Sequence, residues 1–266
     1  MRRAPLLLGL FVITLCVPSL SGQVAIPAAD PAKCSLVWSG FESQIEQQLL
    51  EGKVGKMEDV PIGVTKPRRV TIEGTPLRFA WKPLRPGYSR GFMESYKSEI
   101  AAYKLDRMLD LHMVPPIVER KIEGLTGAAV YWVENTKGWS VAQPPQGPEP
   151  GWSIQLTRMK MFDQLIANID RNQGNLIYDN DWHLFLIDHS RAFIDKKDLK
   201  GMAPLGRVDR ALWNKMQALT IEDLHRGLEK WVGDREKRAL LTRRDLMAKN
   251  IQELVAKRGE KSVFYD

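Results

Sequence analysis

With 266 residues, 44% hydrophobic and 27% charged, the chain has an ordinary globular composition with room for one large domain or two lobes; wholesale disorder and collagen are excluded. Two cysteines cannot staple a framework of this size, so a disulfide-built miniprotein is excluded too. A net charge of +7 admits phosphates, nucleic acid or lipid head groups as partners without choosing among them.

Residues 1–22 have the grammar of a secretory signal peptide: Arg2 and Arg3, an apolar run over 6–17 too short to span a membrane, then Pro18 and small residues. Leu15 before Cys16 and Lys33 before Cys34 exclude a lipoprotein signal. The expectation is an exported protein, periplasmic or secreted, with no transmembrane helix in its mature chain. Removing Arg2 and Arg3 leaves 37 basic against 32 acidic residues, lowers the charge to +5 and leaves Cys34 as the single cysteine. Residues 23–36 are Ala/Pro-rich and read as a linker.

A short helix is predicted over 38–52, followed by a turn-rich stretch containing PIGVTKP. Residues 69–72 and 77–81 read as strands around the turn 73–76. A long helix over 89–111 follows, with Ile100, Tyr103, Leu105, Met108, Leu109 and Leu111 on its apolar face. Residues 114–122 and 128–133 form a second strand pair. The segment 143–151 (QPPQGPEPG) reads as the hinge or connector between an N-lobe over 37–142 and a C-lobe over 152–266. Beyond it come a helix over 154–169, a loop over 170–175, a hairpin from 176–178 and 183–187, and helices near 207–219, 221–232 and 235–258. Strands and one helix first, then mostly helices, indicate a two-lobed α+β fold.

The informative segment is FDQLIANIDRNQGNLIYDNDWHLFLIDHSRAF, residues 162–193. Asp170 and Asn175 have the spacing D-x-x-x-x-N, and Asp188 ends the apolar run FLID. An acid and an amide on one loop, with an acid at the end of the following hairpin, suit a divalent cation whose remaining ligands are phosphate oxygens. The protein-kinase catalytic loop and its later metal-binding Asp have the same arithmetic. Phosphoryl transfer also needs a cation on the phosphates and an acid to hold that cation. Lys82 ends a strand, and Glu99 lies on the next helix, with Glu94 as the competing partner. Gly63, Thr65 and Lys66 precede the first strand, where a phosphate-covering loop belongs.

In these motifs the chain resembles the atypical, lipid-kinase-like branch of the kinase superfamily. That branch includes phosphatidylinositol 3-/4-kinases, actin-fragmin kinase, HipA-type kinases, and secretory-pathway kinases of the Golgi casein kinase and four-jointed type. IDRNQGN and LIDHSRAF are similar to its catalytic loop and metal motif, and FAWKPLRPGY resembles the lysine strand of type II phosphatidylinositol 4-kinases. The likeness runs over about 60–195.

The resemblance implies a small β-rich N-lobe with one long helix, and a mostly helical C-lobe with a catalytic loop and hairpin. It implies that Lys82 contacts the ATP phosphates, that Glu99 positions it, and that Asp170 orients or deprotonates the acceptor hydroxyl. Asn175 and Asp188 would ligate Mg²⁺ or Mn²⁺. Gly63, Thr65 and Lys66 would cover the phosphates, and Tyr131, Trp132 and Val133 would contact adenine. Arg171 could hold the loop, and His189 stands where relatives have Phe or Asn. The implied function is an exported ATP-dependent phosphotransferase whose acceptor is a protein, glycan, lipid or small-molecule hydroxyl. The alternative is a kinase-fold module that binds nucleotide or protein without transferring phosphate. Lys66, Arg68 and Lys82 lie where phosphates belong, so nucleic acid is not needed to explain the basic charge. A third option is attachment to anionic membranes through Arg235, Lys237, Arg238, Arg243, Arg244 and Lys249. Glu236, Asp245 and Glu253 interrupt that cluster, which is the pattern of a solvated helix face.

Overall fold

The computed structural model describes residues 38, 40–60, 67–89, 91–140 and 142–266; the leader-like residues 1–22 and the linker 23–36 lie outside them. Helix α1 (Glu42–Glu51) leads into a five-stranded antiparallel sheet built from β1 (Val54–Asp59), β2 (Arg68–Ile72), β3 (Arg78–Lys82), β6 (Ile117–Ile122) and β7 (Leu125–Tyr131). Its strand order is β1-β2-β3-β7-β6, which puts β3 in the middle. Between β3 and β6 come a small hairpin, β4 (Gly87–Ser89) and β5 (Phe92–Glu94), and helix α2 (Tyr96–Leu109).

The period-two alternation of the central strands sorts side chains between two faces. Phe79 and Trp81 of β3, with Ala129 and Tyr131 of β7, join Trp38, Ile45 and Leu49 in one cluster. Ala128 and Val130 of β7 face the other way, into a core shared with Ile100, Ala101 and Leu105 of α2. Lys82 lies opposite Ala128 in the β3–β7 register. Gly127, next along β7, is there for space: a Cβ on it would sit 2.5 Å from the Lys82 carbonyl oxygen and 2.6 Å from the Pro83 Cα.

Two departures from the sequence reading concern the N-lobe. The stretch read as turns contains β1, an edge strand of half-exposed and exposed residues whose pairing with β2 shifts register between Val54 and Met57. The long helix begins only at Tyr96, because residues 87–94 pair as the β4–β5 hairpin. Ser95 then caps α2, its hydroxyl accepting from the Lys97 N–H at 3.0 Å.

The second half contains strand β8 (Lys137–Gly138), helix α3 (Gly151–Ile166), a 3₁₀ turn over Gln173–Asn175, and strands β9 (Leu176–Tyr178) and β10 (Leu184–Leu186). Strands β10, β9 and β8 form one small sheet. Strand β11 (Val208–Asp209), helices α4 (Arg210–Ala218), α5 (Ile221–Leu228), α6 (Asp234–Arg258) and α7 (Glu260–Val263), and strand β12 (Phe264–Tyr265) complete it. The fold is thus two-lobed, β-rich in its first half and mostly helical in its second. No described helix is long and apolar enough to cross a membrane. The basic run on α6 is not wholly a solvated face. Arg243 is fully buried and donates to the Leu165 carbonyl at 2.8 and 3.1 Å and to that of Lys196. Burial pushes its guanidinium down to about 10.

Asp106 anchors the turn between α2 and β6. Fully buried, it accepts from the backbone N–H groups of His112, Met113 and Val114 at 3.1, 2.8 and 2.9 Å. Burial pushes its carboxyl up to about 7, against the opposing pull of those N–H groups. Between its ordinary value and 7 the unfolded chain releases a proton that the folded chain keeps, so the contribution of Asp106 to stability falls as pH rises. We expect the stability of the wild type relative to Asp106→Asn to decline by up to about 3–4 kcal/mol between pH 4 and pH 7 in urea unfolding. A difference independent of pH would show that the N–H bonds hold the carboxylate ionised.

Candidate active site

Lys82 leaves the end of β3 with its side chain 9% exposed, and its Nζ meets two carboxylates. It donates to Glu99 Oε1 at 2.6 Å and to Asp188 Oδ1 at 3.1 Å. Of the two acids considered for Lys82, the structure pairs it with Glu99; Glu94 is taken by Arg191. Glu99 lies in the first turn of α2 and is 1% exposed. Its second oxygen accepts the backbone N–H of His189 at 2.9 Å, which fixes α2 to the segment after β10. The Ser95 N–H donates to the Ser190 carbonyl at 2.9 Å and the Ser98 hydroxyl to the Ala192 carbonyl at 3.1 Å along the same seam.

The electrostatics follow from this burial. Desolvation disfavours charge on Lys82, but the carboxylates of Asp188 and Glu99 together outweigh it and raise its affinity for its proton. The charge of Lys82 holds Asp188 down to about 2. Burial pushes Glu99 above the usual carboxylate range, with Lys82 opposing. Asp188 itself has left-handed backbone (φ 60°), a conformation Asp tolerates better than most residues.

His189 is fully buried, and its Nε2 lies 2.9 Å from Arg171 Nη2. A guanidinium only donates, so Nε2 accepts and the proton sits on Nδ1, 4.0 Å from Glu99 Oε2. Burial first and the Arg171 charge second lower its pKa well below the ordinary value, so this imidazole is neutral.

Arg171 organises the loop below. Its Nε and Nη2 take the two oxygens of Asp163 at 2.9 and 3.0 Å. Its Nη1 donates to the carbonyls of Asn175 and Ile187 at 2.8 and 2.9 Å. One side chain therefore joins the loop of Asp170 to the strand end that carries Asp188. Asn175, 6% exposed, donates its Nδ2 to the Asp170 carbonyl at 2.8 Å, which leaves Oδ1 as the atom a cation would take. The Asp170 carboxylate is one-third exposed and lies 3.1 Å from Arg191 Nη1.

A cavity of about 260 Å³ opens above Lys82, Asn175 and Asp188. Tyr131, Trp132 and Val133 line it, with Val130, Ile177 and Ile187 among its apolar walls. A larger cavity, about 510 Å³, adjoins the loop at Asn168 and Arg171, but Lys82 and Asp188 do not line it. Those two charges belong to the smaller one, and Asp170 lines neither. Gly63, Thr65 and Lys66 lie outside the described residues, although Val60 and Pro67 on either side line the cavity. Arg68 turns to Glu123 at 3.4 Å and lies over the Trp81 ring. Of the sequence-derived residues, the structure thus brings Lys82, Glu99, Asn175, Asp188 and 131–133 to one place. Asp170 joins them through Asn175. Arg191 and Asp163 were not singled out by sequence, since their partners lie on other elements.

No protein-family model matches the chain, and no curated protein matches it in sequence. Solved structures that match its fold include the following three. One is hydra Fam20 with sugar, 15% identical, covering 84% of this chain and 91% of that one with a TM-score of 0.63. The Golgi casein kinase with Mn/ADP bound is 15% identical, covering 87% and 80% with a TM-score of 0.64. Another structure of the Golgi casein kinase, also 15% identical, covers 87% and 81% with a TM-score of 0.66. The chain has a kinase-like fold.

Proposed function

We propose that this kinase-like fold is a phosphotransferase that moves the γ-phosphoryl group of ATP to a hydroxyl acceptor. The observation that carries the reading is Lys82: a buried ammonium held between Glu99 and Asp188 at the floor of an apolar-walled cavity. Lys82 is paired with two acids and also lines the cavity, so its charge is available to an anion bound there. Asp188 and Asn175 are hard oxygen donors of the kind that Mg²⁺ and Mn²⁺ take, so the donor set fits such an ion. Bound there, the ion would neutralise negative charge on the transferred group. Lys82 would hold phosphate oxygens, and 131–133 with Ile177 would hold the adenine. In the transfer, the bond between the γ-phosphorus and its bridging oxygen breaks, and its electron pair leaves with ADP. A bond forms from the acceptor oxygen to phosphorus, and the acceptor proton passes to the Asp170 carboxylate. The leader-like residues 1–22 support export. The acceptor classes remain protein, glycan, lipid and small-molecule hydroxyls.

The test couples binding to transfer. Saturating ATP with Mn²⁺ or Mg²⁺, at about 100 Kd, should raise the stability of the wild type by about 2.7 kcal/mol. Asp188→Asn should lose most of that shift. Labelled ATP should then mark a component of one of the four acceptor pools. Equal shifts in the two proteins would overturn this assignment of the site. A stable fold with a metal-dependent shift and no transfer in any pool would favour the nucleotide-binding module instead.

A further inference from the structure

The group nearest the proposed base is not from the loop that carries it. Arg191 follows the metal-motif Asp188 by three residues, and its side chain is 13% exposed. Its Nε and Nη2 both donate to Glu94 Oε1, at 2.7 and 2.6 Å. Its Nη1 reaches Asp170 Oδ2 at 3.1 Å, and its guanidinium lies over the Phe92 ring, 4.3 Å from the centroid. Glu94 and Phe92 both belong to β5 of the small hairpin between β3 and α2. Glu94 is 3% exposed, so it is a buried carboxylate with a strong reason to keep its cation.

We propose that Arg191 is a positioning residue for Asp170, braced by Glu94 and Phe92 of the β4–β5 hairpin. The inference rests on the phosphotransferase reading. The guanidinium is planar and its N–H groups point in fixed directions. With two of them committed to Glu94 and one face covered by Phe92, the position of Nη1 is set by the N-lobe. Asp170 is one-third exposed, and nothing in its own turn grips its carboxylate at short range: Asn172 Nδ2 is 3.5 Å from Oδ1. The Arg191 charge, fixed in place 3.1 Å from Oδ2, therefore holds that oxygen by ion pairing and leaves Oδ1 for an acceptor hydroxyl. An exposed surface ion pair would have little such effect, because long side chains in water do not hold one geometry. Here the arginine is largely covered, its partner Glu94 is buried, and its guanidinium lies over the ring of Phe92. The seam between Ser95 and Ser190 keeps the two backbones in register at the same point.

Because the acceptor is unidentified, the readout is ADP formed from Mn²⁺–ATP with water as the acceptor hydroxyl. Arg191→Ala should lower kcat roughly 10- to 100-fold, the scale of a misplaced reacting group, with the KM for ATP changed less than about twofold. Millimolar guanidinium should restore part of the rate of Arg191→Ala, which a merely structural loss would not allow. Arg191→Lys should fall between, since an ammonium cannot hold Glu94 and Asp170 in fixed directions at once. Glu94→Gln with Arg191→Met removes both buried charges together, so it keeps the test open should Arg191→Ala fail to fold; it should show the same loss of kcat. An active wild type with kcat unchanged in either variant overturns this inference alone. So does a loss of kcat in Arg191→Ala that guanidinium does not relieve. If the wild type spares water, the same variants are compared by labelled transfer to the acceptor pools; a wild type that neither forms ADP nor transfers label to any pool removes the phosphotransferase reading, and this inference with it.

Discussion

Lys82→Met is expected to lower ADP formation from Mn²⁺–ATP by roughly 10²–10³-fold, the scale of removing one charge-stabilising donor from a reacting centre. It is also expected to destabilise the fold, and the two effects can be separated. Lys82 is the cation of a buried trio, and methionine has nearly its volume but none of its charge. Glu99, 1% exposed, would then be left without its ammonium. Breaking a buried pair in this way commonly costs about 3–5 kcal/mol. Glu99 has a way to limit that loss, which is to take up a proton. Protonating a carboxyl of ordinary value 4.5 at pH 7 costs about 3.4 kcal/mol, so the deficit should lie near that ceiling. In the variant, the folded-state pKa of Glu99 lies still further above its unfolded value. Stability is then greatest at low pH and is lost as pH rises above about 4.5, so the deficit should shrink as the buffer approaches pH 5. The double variant Lys82→Met with Glu99→Gln should recover most of the stability at pH 7 and none of the activity. Recovery of both would show that the lysine serves only the fold. An unchanged rate in the single variant would remove Lys82 from the proposed site.

The legible parts of this molecule were those written in short-range patterns. The alternation of 77–82 and 128–133 marks strands because their two faces meet different cores, around Trp38 on one side and α2 on the other. The D-x-x-x-x-N spacing of Asp170 and Asn175 is legible because both belong to one turn, closed by a hydrogen bond from Asn175 to the Asp170 carbonyl. Lys82 and Glu99 could be paired because a strand end and the next helix leave few geometries. The β4–β5 hairpin was not legible: its strands are three residues each, and Met93, Glu94 and Tyr96 continue the helical pattern of α2 backwards. Strand β1 was hidden by its edge position, where half its residues need no apolar side chain. Arg191 was hidden for a different reason. Its partners are 97 residues away in Glu94 and on a separate loop in Asp170, and nothing local marks an arginine that is held from both sides. Arg243 was read with a solvated face because charge alone does not say which side of a long helix meets the core. Its carbonyl partners on α3 and at Lys196 are visible only in three dimensions.

Arg171→Ala should be the most damaging single change in the C-lobe. All five N–H groups of this guanidinium are engaged: two on Asp163, one each on the Asn175 and Ile187 carbonyls, and one on His189 Nε2. Alanine would leave Asp163, 7% exposed, as a carboxylate whose remaining side-chain donor is Asn168 at 2.9 Å. It would also strip the Ile187 carbonyl of its arginine donor and leave the Asn175 carbonyl with only the Ile187 N–H, at 3.2 Å. Loss of one partner from a buried charged network costs about 3–5 kcal/mol, and urea unfolding should find a deficit of at least that size. Activity should fall further than the folded fraction does, because the loop of Asp170, the amide of Asn175 and the strand end at Ile187 are aligned through this one residue. Arg171→Lys separates the two contributions. Its single ammonium can satisfy Asp163 but cannot reach both carbonyls and His189 in the same geometry. It should therefore regain part of the stability while kcat stays low. Arg171→Lys at wild-type rate would show that the loop is aligned by its backbone alone. Arg191 provides the contrast, since it touches Asp170 but neither Asn175 nor Ile187. Its loss should leave metal-dependent nucleotide binding intact, where that of Arg171 should weaken binding and turnover together.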